Sequence, residues 1–407
     1  METMWDLIIV GAGPAGCSAA YFNAQQGKKV LLLDAKTFPR DKICGDGITG
    51  KALNILYEMG LEDKINATKS IVSTGVVLSS PNQREIRIPL TSEHDRLMPF
   101  SLERCLIDNS IYEVAAQMVR DNGGEVRTEK VVATLSENGV MNGVRTTKKK
   151  YFGKIIVGAG GYSCPVSRTI LTRNQEERQD RLHYSSAVRE YWSNISGSQG
   201  DFEIHFIDGI MPGYFWIFPL STNRYNIGVG MLLADMDEQQ VKLKQMLKWI
   251  TEESHLSHRF KDAKPTEKSL RGWMLPLGSP REGELNPRCN YVEGGILLGD
   301  AATLIDPFTG EGIGNALVSG KLLADYDKID NTTGPAYQKE LWNIIGNELT
   351  NSHRLQKMLK RKWVINWVVK KASKKPKLQQ ILTDMLNNKE TQGNANSKWF
   401  IIKALLF

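Results

Sequence analysis

Cysteine is scarce in this chain: its 407 residues hold 5, at Cys17, Cys44, Cys105, Cys164 and Cys289. Their number is odd, their spacings are wide and no C-x-x-C pair occurs. That argues against a disulfide framework and against a zinc site, and it fits the reducing cytoplasm. No metal ligand is assigned. Long hydrophobic runs are missing too: nothing approaches the ~18 uninterrupted apolar residues of a bilayer-spanning helix, so the chain is not expected to cross a membrane. The run Leu7-Ile8-Ile9-Val10 lacks a basic leader and passes directly into glycines, so it reads as a strand and not as a secretory signal. Neither an internal repeat nor a low-complexity tract is found.

What is present is an ordinary globular composition, 41% hydrophobic and 24% charged, sufficient for one large body or two intimately joined lobes. The formal charge of +7 is unevenly placed: residues 351–407 carry 13 Lys and Arg against 2 Asp and Glu, and the rest of the chain 39 against 43. Only the tail is basic. No recognised nucleic-acid module accompanies it, so nucleic acid is not an expected partner.

Three glycine-centred segments lie far apart: Gly11-Ala12-Gly13-Pro14-Ala15-Gly16, Gly158-Ala159-Gly160-Gly161, and Gly299-Asp300 followed by Gly310-Glu311-Gly312-Ile313-Gly314. The first follows the apolar run Asp6–Val10 and leads into a helix through Cys17-Ser18-Ala19-Ala20. Gly11 permits the tight turn, Gly13 lets backbone approach a pyrophosphate, and Gly16 lets helix and strand pack closely, with phosphate at the helix N-terminus. Lys29–Leu33 forms the second strand and ends at Asp34, where an acid accepts from ribose hydroxyls. The loop alone suits NAD or FAD, and the late segment decides for FAD. There Gly295–Leu298 is another buried strand ending at Gly299-Asp300, with Asp300 expected on the ribityl chain. Gly310, Gly312, Ile313 and Gly314 then open a helix whose N–H groups face an anionic ring or phosphate.

With these residues in place, the chain resembles the p-hydroxybenzoate-hydroxylase-like flavoproteins and, within them, the geranylgeranyl reductase family. The family's GD-x-A and P-x-T-G-E-G-I segments match Gly299-Asp300-Ala301-Ala302 and Pro307-Phe308-Thr309-Gly310-Glu311-Gly312-Ile313. Lys42-Ile43-Cys44-Gly45-Asp46-Gly47 is similar to the family loop that lies near the isoalloxazine ring, which places Cys44 and Gly45 among the flavin contacts. Pro212-Gly213-Tyr214-Phe215-Trp216-Ile217-Phe218-Pro219 is similar to its Y-x-W-x-F-P segment, which walls the substrate cavity. The resemblance also implies that Arg104 contacts the dinucleotide, the alternative being a solvated charge on a helix surface.

Tyr214, Trp216 and Phe218 alternate at period two, so their rings share one strand face and can line an apolar slot, or pack on core. Cys44 is either a small buried hydrophobe or, between glycines beside a flavin, a proton donor. What the resemblance implies is reduction of a prenyl double bond; because an isolated alkene is a poor hydride acceptor, the expected chemistry is protonation of one alkene carbon by Cys44 or a water it holds, coupled to hydride delivery from reduced FAD to the more substituted carbon. Lys42 and Arg40 can meet a diphosphate or phospholipid head, serve the flavin, or face solvent. Many relatives carry an Asp-Gly pair where this chain has Gly160-Gly161, followed by Tyr162-Ser163 and later Arg168. The electron donor is therefore left open between NAD(P)H and a ferredoxin or another electron-donor protein.

The expected fold is α/β, with a Rossmann-like FAD-binding lobe (1–75, 100–168 and 285–330) and an antiparallel β-sheet substrate lobe (76–99 and 169–284); Gly272–Leu277 reads as a return strand near the lobe junction or as plain core. A C-terminal helical, basic region follows (331–407). In it Trp363 and Trp367 share a helix face, and Ser397–Phe407 repeats the mixture of aromatics, aliphatics and lysines. Such segments suit either a cap on the catalytic lobes or an anionic membrane surface, the inner face of the membrane for a cytoplasmic protein acting on a prenylated lipid or isoprenoid. Two rival readings stay open: a flavin monooxygenase or halogenase on the same scaffold, and a flavin-bearing prenyl-lipid binding protein without turnover.

Overall fold

A computed structural model of the chain describes residues 3–68, 71–90, 99–176, 180–281, 288–376 and 378–379. Two eight-stranded sheets organise them. The first orders Tyr291–Val292, Gly295–Leu297, Lys150–Gly158, Met4–Val10, Val30–Asp34 and Glu125–Thr128 side by side. From Gly295–Leu297 to Glu125–Thr128 neighbouring strands run parallel, and the hairpin Val131–Glu137/Val140–Thr146 attaches to the start of Lys150–Gly158. Leu7 to Val10 and Val30 to Leu33 are all buried. That continuous apolar pattern belongs to strands covered on both faces.

Helices supply the cover. Gly13 caps Pro14–Gln25, with proline at the first turn where its missing N–H costs nothing. That helix packs on Arg104–Asp121 and Ile313–Leu322, and the Ser18 hydroxyl donates to the Leu317 carbonyl at 2.7 Å. Gly11 has φ +108°, and a Cβ there would come within 2.6 Å of the Ala159 backbone. The first two glycine segments are therefore pressed together at the carboxyl ends of parallel strands, where open α/β sheets bind ligands.

The second sheet orders Lys264–Pro265, Tyr184–Ser193, Arg224–Leu232, Tyr214–Ser221, Phe202–His205, Gly75–Ser79 and Glu85–Pro89. Its pairings are antiparallel except for Phe202–His205 against Gly75–Ser79. Arg271–Pro276 returns alongside Tyr184–Ser193, and Leu277 then bridges to Ile305 of the flavin-side loop. A small sheet of Gly47–Ile48, Phe100–Ser101 and Ile71–Val72 completes the β structure.

Two helices follow, Thr333–Leu359 and Lys362–Ala372. Ile365, Val369 and Ala372 of the latter pack with Ile86, Ile88 and Phe206 of the second sheet. This much of the basic region is thus a helical cap on the protein. The segment Ser397–Phe407 lies outside the described residues.

Candidate active site

A cavity of about 1380 Å³ runs between the two sheets. Its phosphate-like end is built from backbone. Gly13, Pro14 and Ala15 line it at the N-terminus of their helix, and the space off Gly13 is open, with the Arg40 guanidinium 3.7 Å from where a Cβ would stand. Asp34 ends its strand at the cavity wall. There it also braces the loop, accepting from the Ala12 and Lys36 N–H groups, both at 2.8 Å. Gly16 does not line the cavity: its helix approaches so closely that a Cβ would lie 1.8 Å from the Gly11 carbonyl oxygen.

Asp300, Gly310, Gly312 and Ile313 line the next stretch. Asp300 Oδ1 stands 3.3 Å from where a Gly312 Cβ would be, so the Gly-Asp and Gly-Glu-Gly segments meet. Gly314 is set back; its N–H donates to Glu311 at 2.6 Å. Helix-terminal donors, open space at a glycine, a cation and a strand-end carboxylate are the equipment a dinucleotide needs, and the residues present fit it.

The middle of the cavity is charged. Arg104, the first residue of its helix, is 6% exposed, so it is not a solvated surface charge. Its guanidinium binds Asp108 through two bonds, 2.7 and 2.9 Å, and Arg40 reaches the same carboxylate at 3.4 Å. Burial works against the Arg104 charge, but Asp108 and the neighbouring Cys44 hold its pKa well above the ordinary value. Cys44 and Gly45 line the cavity beside it. Lys42 sits with its ammonium 4.1 Å from the centroid of the Trp273 ring. Burial pulls its pKa down to about 8, with Asp300 acting in the opposite direction.

The far end is aromatic. Tyr214, Trp216 and Phe218 line the cavity from one face of their strand, their centroids spaced 6.1 and 6.3 Å apart. Phe215 and Ile217 point the other way into the core of the second lobe. Tyr214 is tethered by its hydroxyl to the Thr309 carbonyl at 2.7 Å. Burial raises its pKa, so the ring stays a neutral wall. Phe202, on the adjacent strand, packs at a tilt with its centroid 4.7 Å from that of Phe218, widening the apolar surface.

The loop and the aromatic strand touch: a Cβ on Gly45 would meet Phe218 at 3.1 Å and the Trp216 indole nitrogen at 3.7 Å. Holding them are four residues that the periodicities did not single out. Asp46 is fully buried with φ +65°, and it accepts from Tyr191 at 2.9 Å and Asn226 at 2.8 Å. Its pKa is raised to about 6 by burial, against the pull of those hydrogen bonds and of Arg189 and Arg104. Arg189, 1% exposed, clasps Asp41 at the start of the same loop at 2.6 and 2.7 Å. A charged residue in a central strand, as Arg189 is, was the available signal. Asn226 and Tyr191 offered none.

The FAD binding domain family model matches residues 4–319. The chain belongs to the FAD-binding domain family. FAD is therefore the dinucleotide for which the cavity is built, and the protein is an FAD-dependent oxidoreductase. It is 30% identical over 337 residues to a menaquinone reductase of Mycobacterium tuberculosis, covering 79% of this chain and 76% of that one. To a digeranylgeranylglycerophospholipid reductase of Thermoplasma acidophilum it is 26% identical, over 91% of this chain and 87% of the relative. Among solved structures, a geranylgeranyl bacteriochlorophyll reductase-like protein of Thermoplasma acidophilum superposes with a TM-score of 0.75 at 21% identity, covering 100% of this chain and 96% of that one. A flavin-dependent brominase superposes with a TM-score of 0.67 at 18% identity, covering 99% and 93%. At these identities the two structures speak for the fold.

Proposed function

We propose that the protein reduces prenyl carbon–carbon double bonds, of the geranylgeranyl type, in a lipid, quinone or pigment precursor. The observation that carries this reading is the contact between the Cys44–Gly45 loop and the aromatic face of Tyr214, Trp216 and Phe218 in one cavity with the dinucleotide loop. The names of the reductase relatives support it. FAD, once reduced, supplies the hydride.

The protein's own residues do the rest. The aromatic wall holds an apolar chain and excludes water, which orients an alkene that is a poor hydride acceptor in solution. Cys44 Sγ gives up its proton to the less substituted alkene carbon: an S–H bond breaks, a C–H bond forms, and the hydride completes the other carbon. Arg104, fixed beside the sulfur, places positive charge where the proton leaves. Cys44→Ser slows reduction by about 10²–10⁴-fold, the range of a lost general acid, while FAD stays bound. Turnover unchanged in that variant removes Cys44 from the chemistry.

The test of the reaction is anaerobic. The protein is reduced with dithionite and offered geranylgeranyl lipid, quinone and diphosphate separately. A gain of two hydrogens per reduced bond with flavin reoxidation supports the reading. Flavin that stays reduced with all three turns it toward oxygen or halide chemistry, or toward lipid binding without turnover. Reduction of the oxidised enzyme by NAD(P)H or by a ferredoxin identifies the electron donor.

The reading includes peripheral attachment to the inner face of a membrane. Among the described residues no helix is long and apolar enough to cross one. Trp363 is 63% exposed on the helix Lys362–Ala372, and with Trp367, Lys357, Met358 and Arg361 it lines a surface groove of about 500 Å³. Gln356 and Leu359, on the last turn of the preceding helix, line the main cavity. One helical turn therefore separates groove from cavity, and indoles beside basic residues suit an anionic interface. Trp363→Ala with Trp367→Ala lowers co-sedimentation with anionic vesicles; equal binding by variant and wild type counts against this surface.

A further inference from the structure

Asn226 touches three parts of the site at once. It lies on Arg224–Leu232 and is fully buried. Its Nδ2 donates to the Cys44 carbonyl at 2.7 Å and to Asp46 Oδ2 at 2.8 Å, and its Oδ1 accepts from the Trp216 indole N–H at 2.9 Å. The orientation of the amide follows from chemistry. An indole nitrogen only donates, while a carbonyl and a carboxylate accept, so the opposite flip would oppose like groups at every contact.

Neighbouring groups make the arrangement conditional. Asp46 Oδ2 also accepts from Tyr191 at 2.9 Å and Oδ1 from the Arg104 N–H at 3.3 Å. As an anion, Asp46 accepts at both oxygens; protonation weakens it as an acceptor, and a proton on Oδ2 would displace one of that oxygen's two donors. Asp46 is also the residue through which Leu102 is anchored, its N–H reaching the Asp46 carbonyl at 3.0 Å. The non-glycine left-handed backbone at position 46 is held in place by these contacts.

We infer that Asn226 is the positioning residue of the reaction: it fixes the distance between Cys44 and the Trp216 ring, and it does so while Asp46 is ionised. The inference rests on the prenyl-reductase reading for its kinetic consequences and stands apart from it for its structural ones. Cys44 is on a loop and Trp216 on a strand of the other sheet, so neither element fixes their separation. Asn226 reaches both sides through one rigid amide plane. Hydrogen bonds of this kind in a water-poor site hold geometry more firmly than in solvent, and a misplacement of about 1 Å at a reacting group costs about a hundredfold in rate.

The pH dependence has a definite sign. The groups facing the Asp46 carboxylate are Arg104, Arg189, Tyr191 and Cys105. Burial raises its pKa to about 6, so the anion that completes the lock is present above that value and lost as pH falls through it. The rate of reduction should therefore have an acid limb near pH 6.

The experiment compares wild type, Asn226→Ala and Trp216→Phe as FAD-loaded full-length protein. The first readout needs no substrate: the rate at which iodoacetamide alkylates Cys44, resolved by peptide mass. The second is single-turnover reoxidation of dithionite-reduced enzyme by a geranylgeranyl lipid across pH. Both variants are expected to keep FAD and alkylate faster at Cys44. Asn226→Ala should lose about a hundredfold in turnover at unchanged substrate affinity, and its acid limb should disappear. Trp216→Phe removes the indole N–H together with the pyrrole part of the ring, leaves Asn226 in place, and keeps the experiment decisive if Asn226→Ala does not fold. Wild-type alkylation at Cys44 in the variants that fold, or an acid limb that persists in Asn226→Ala, overturns the inference. If no prenyl substrate reoxidises the reduced wild type, the reaction reading fails, and the alkylation rates alone decide the role of Asn226.

Discussion

The two ends of the cavity are made differently. At the dinucleotide end the working groups are backbone N–H donors at Gly13, Pro14-bounded helix geometry and the strand-end carboxylate of Asp34, brought together by chain segments adjacent in sequence. At the aromatic end they are side chains, Tyr214, Trp216 and Phe218, facing a loop that comes from 170 residues earlier in the chain. The first end is fixed by close backbone-to-backbone contacts, the second by strand register and side-chain hydrogen bonds. A backbone-built site tolerates almost no added atom, whereas a side-chain-built site can lose a ring and keep its frame.

Gly11→Ala is the severest break in that comparison. The methyl would stand 2.6 Å from the Ala159 and Gly160 backbone at a residue with φ +108°, so neither a rotamer change nor a small shift relieves it. Complete loss of bound flavin, read as absorbance of the purified protein, is the expected outcome. A variant that retains stoichiometric FAD would show that the contact between the first two glycine segments is not needed.

Between the ends, Asp108 tests whether the charged middle belongs with the rigid or the adaptable part. It is 1% exposed and receives both Arg104 and Arg40. Asp108→Ala leaves buried positive charge without its partner, an effect of about 3–5 kcal/mol. Urea unfolding of the FAD-loaded protein measures it. Asp108→Asn keeps the shape and part of the hydrogen bonding, and should recover some of the loss; equal stability of all three proteins would mean that solvent reaches the pair.

The same contrast explains what could be read from the residues alone. Gly11, Gly13, Asp34 and the strands beside them announce themselves because glycine spacing and apolar runs encode backbone geometry directly. The period-two aromatics gave the face of the strand, and the structure puts Phe215 and Ile217 on its other side. It did not say which loop would meet that face. Asn226 hydrogen-bonds across 182 residues to Cys44, and nothing in a lone asparagine within a strand distinguishes such a role. Arg104 was nameable only through a family resemblance; its burial depends on Asp108 one helical turn later. Gly16 and Gly314, grouped with the cofactor contacts by their motifs, are set back from the cavity because their task is to let other elements approach.

The smallest effect is expected where the wall is most adaptable. Phe218 is half-buried, with the tilted Phe202 ring 4.7 Å away and Gly45 beneath it, so Phe218→Ala removes a ring and leaves neighbouring aromatic surface able to relax into part of the space. Loss of its apolar contact to a hydrocarbon substrate is worth about 1–2 kcal/mol, which appears as a rise in KM of about tenfold at little change in kcat. FAD affinity should move less than KM, because Phe218 meets the flavin-side loop through Gly45 and Gly47 alone. A fall in kcat with KM unchanged would instead mean that Phe218 supports the Cys44–Gly45 loop more than it holds substrate, and would move it to the rigid side of the comparison, beside Asn226.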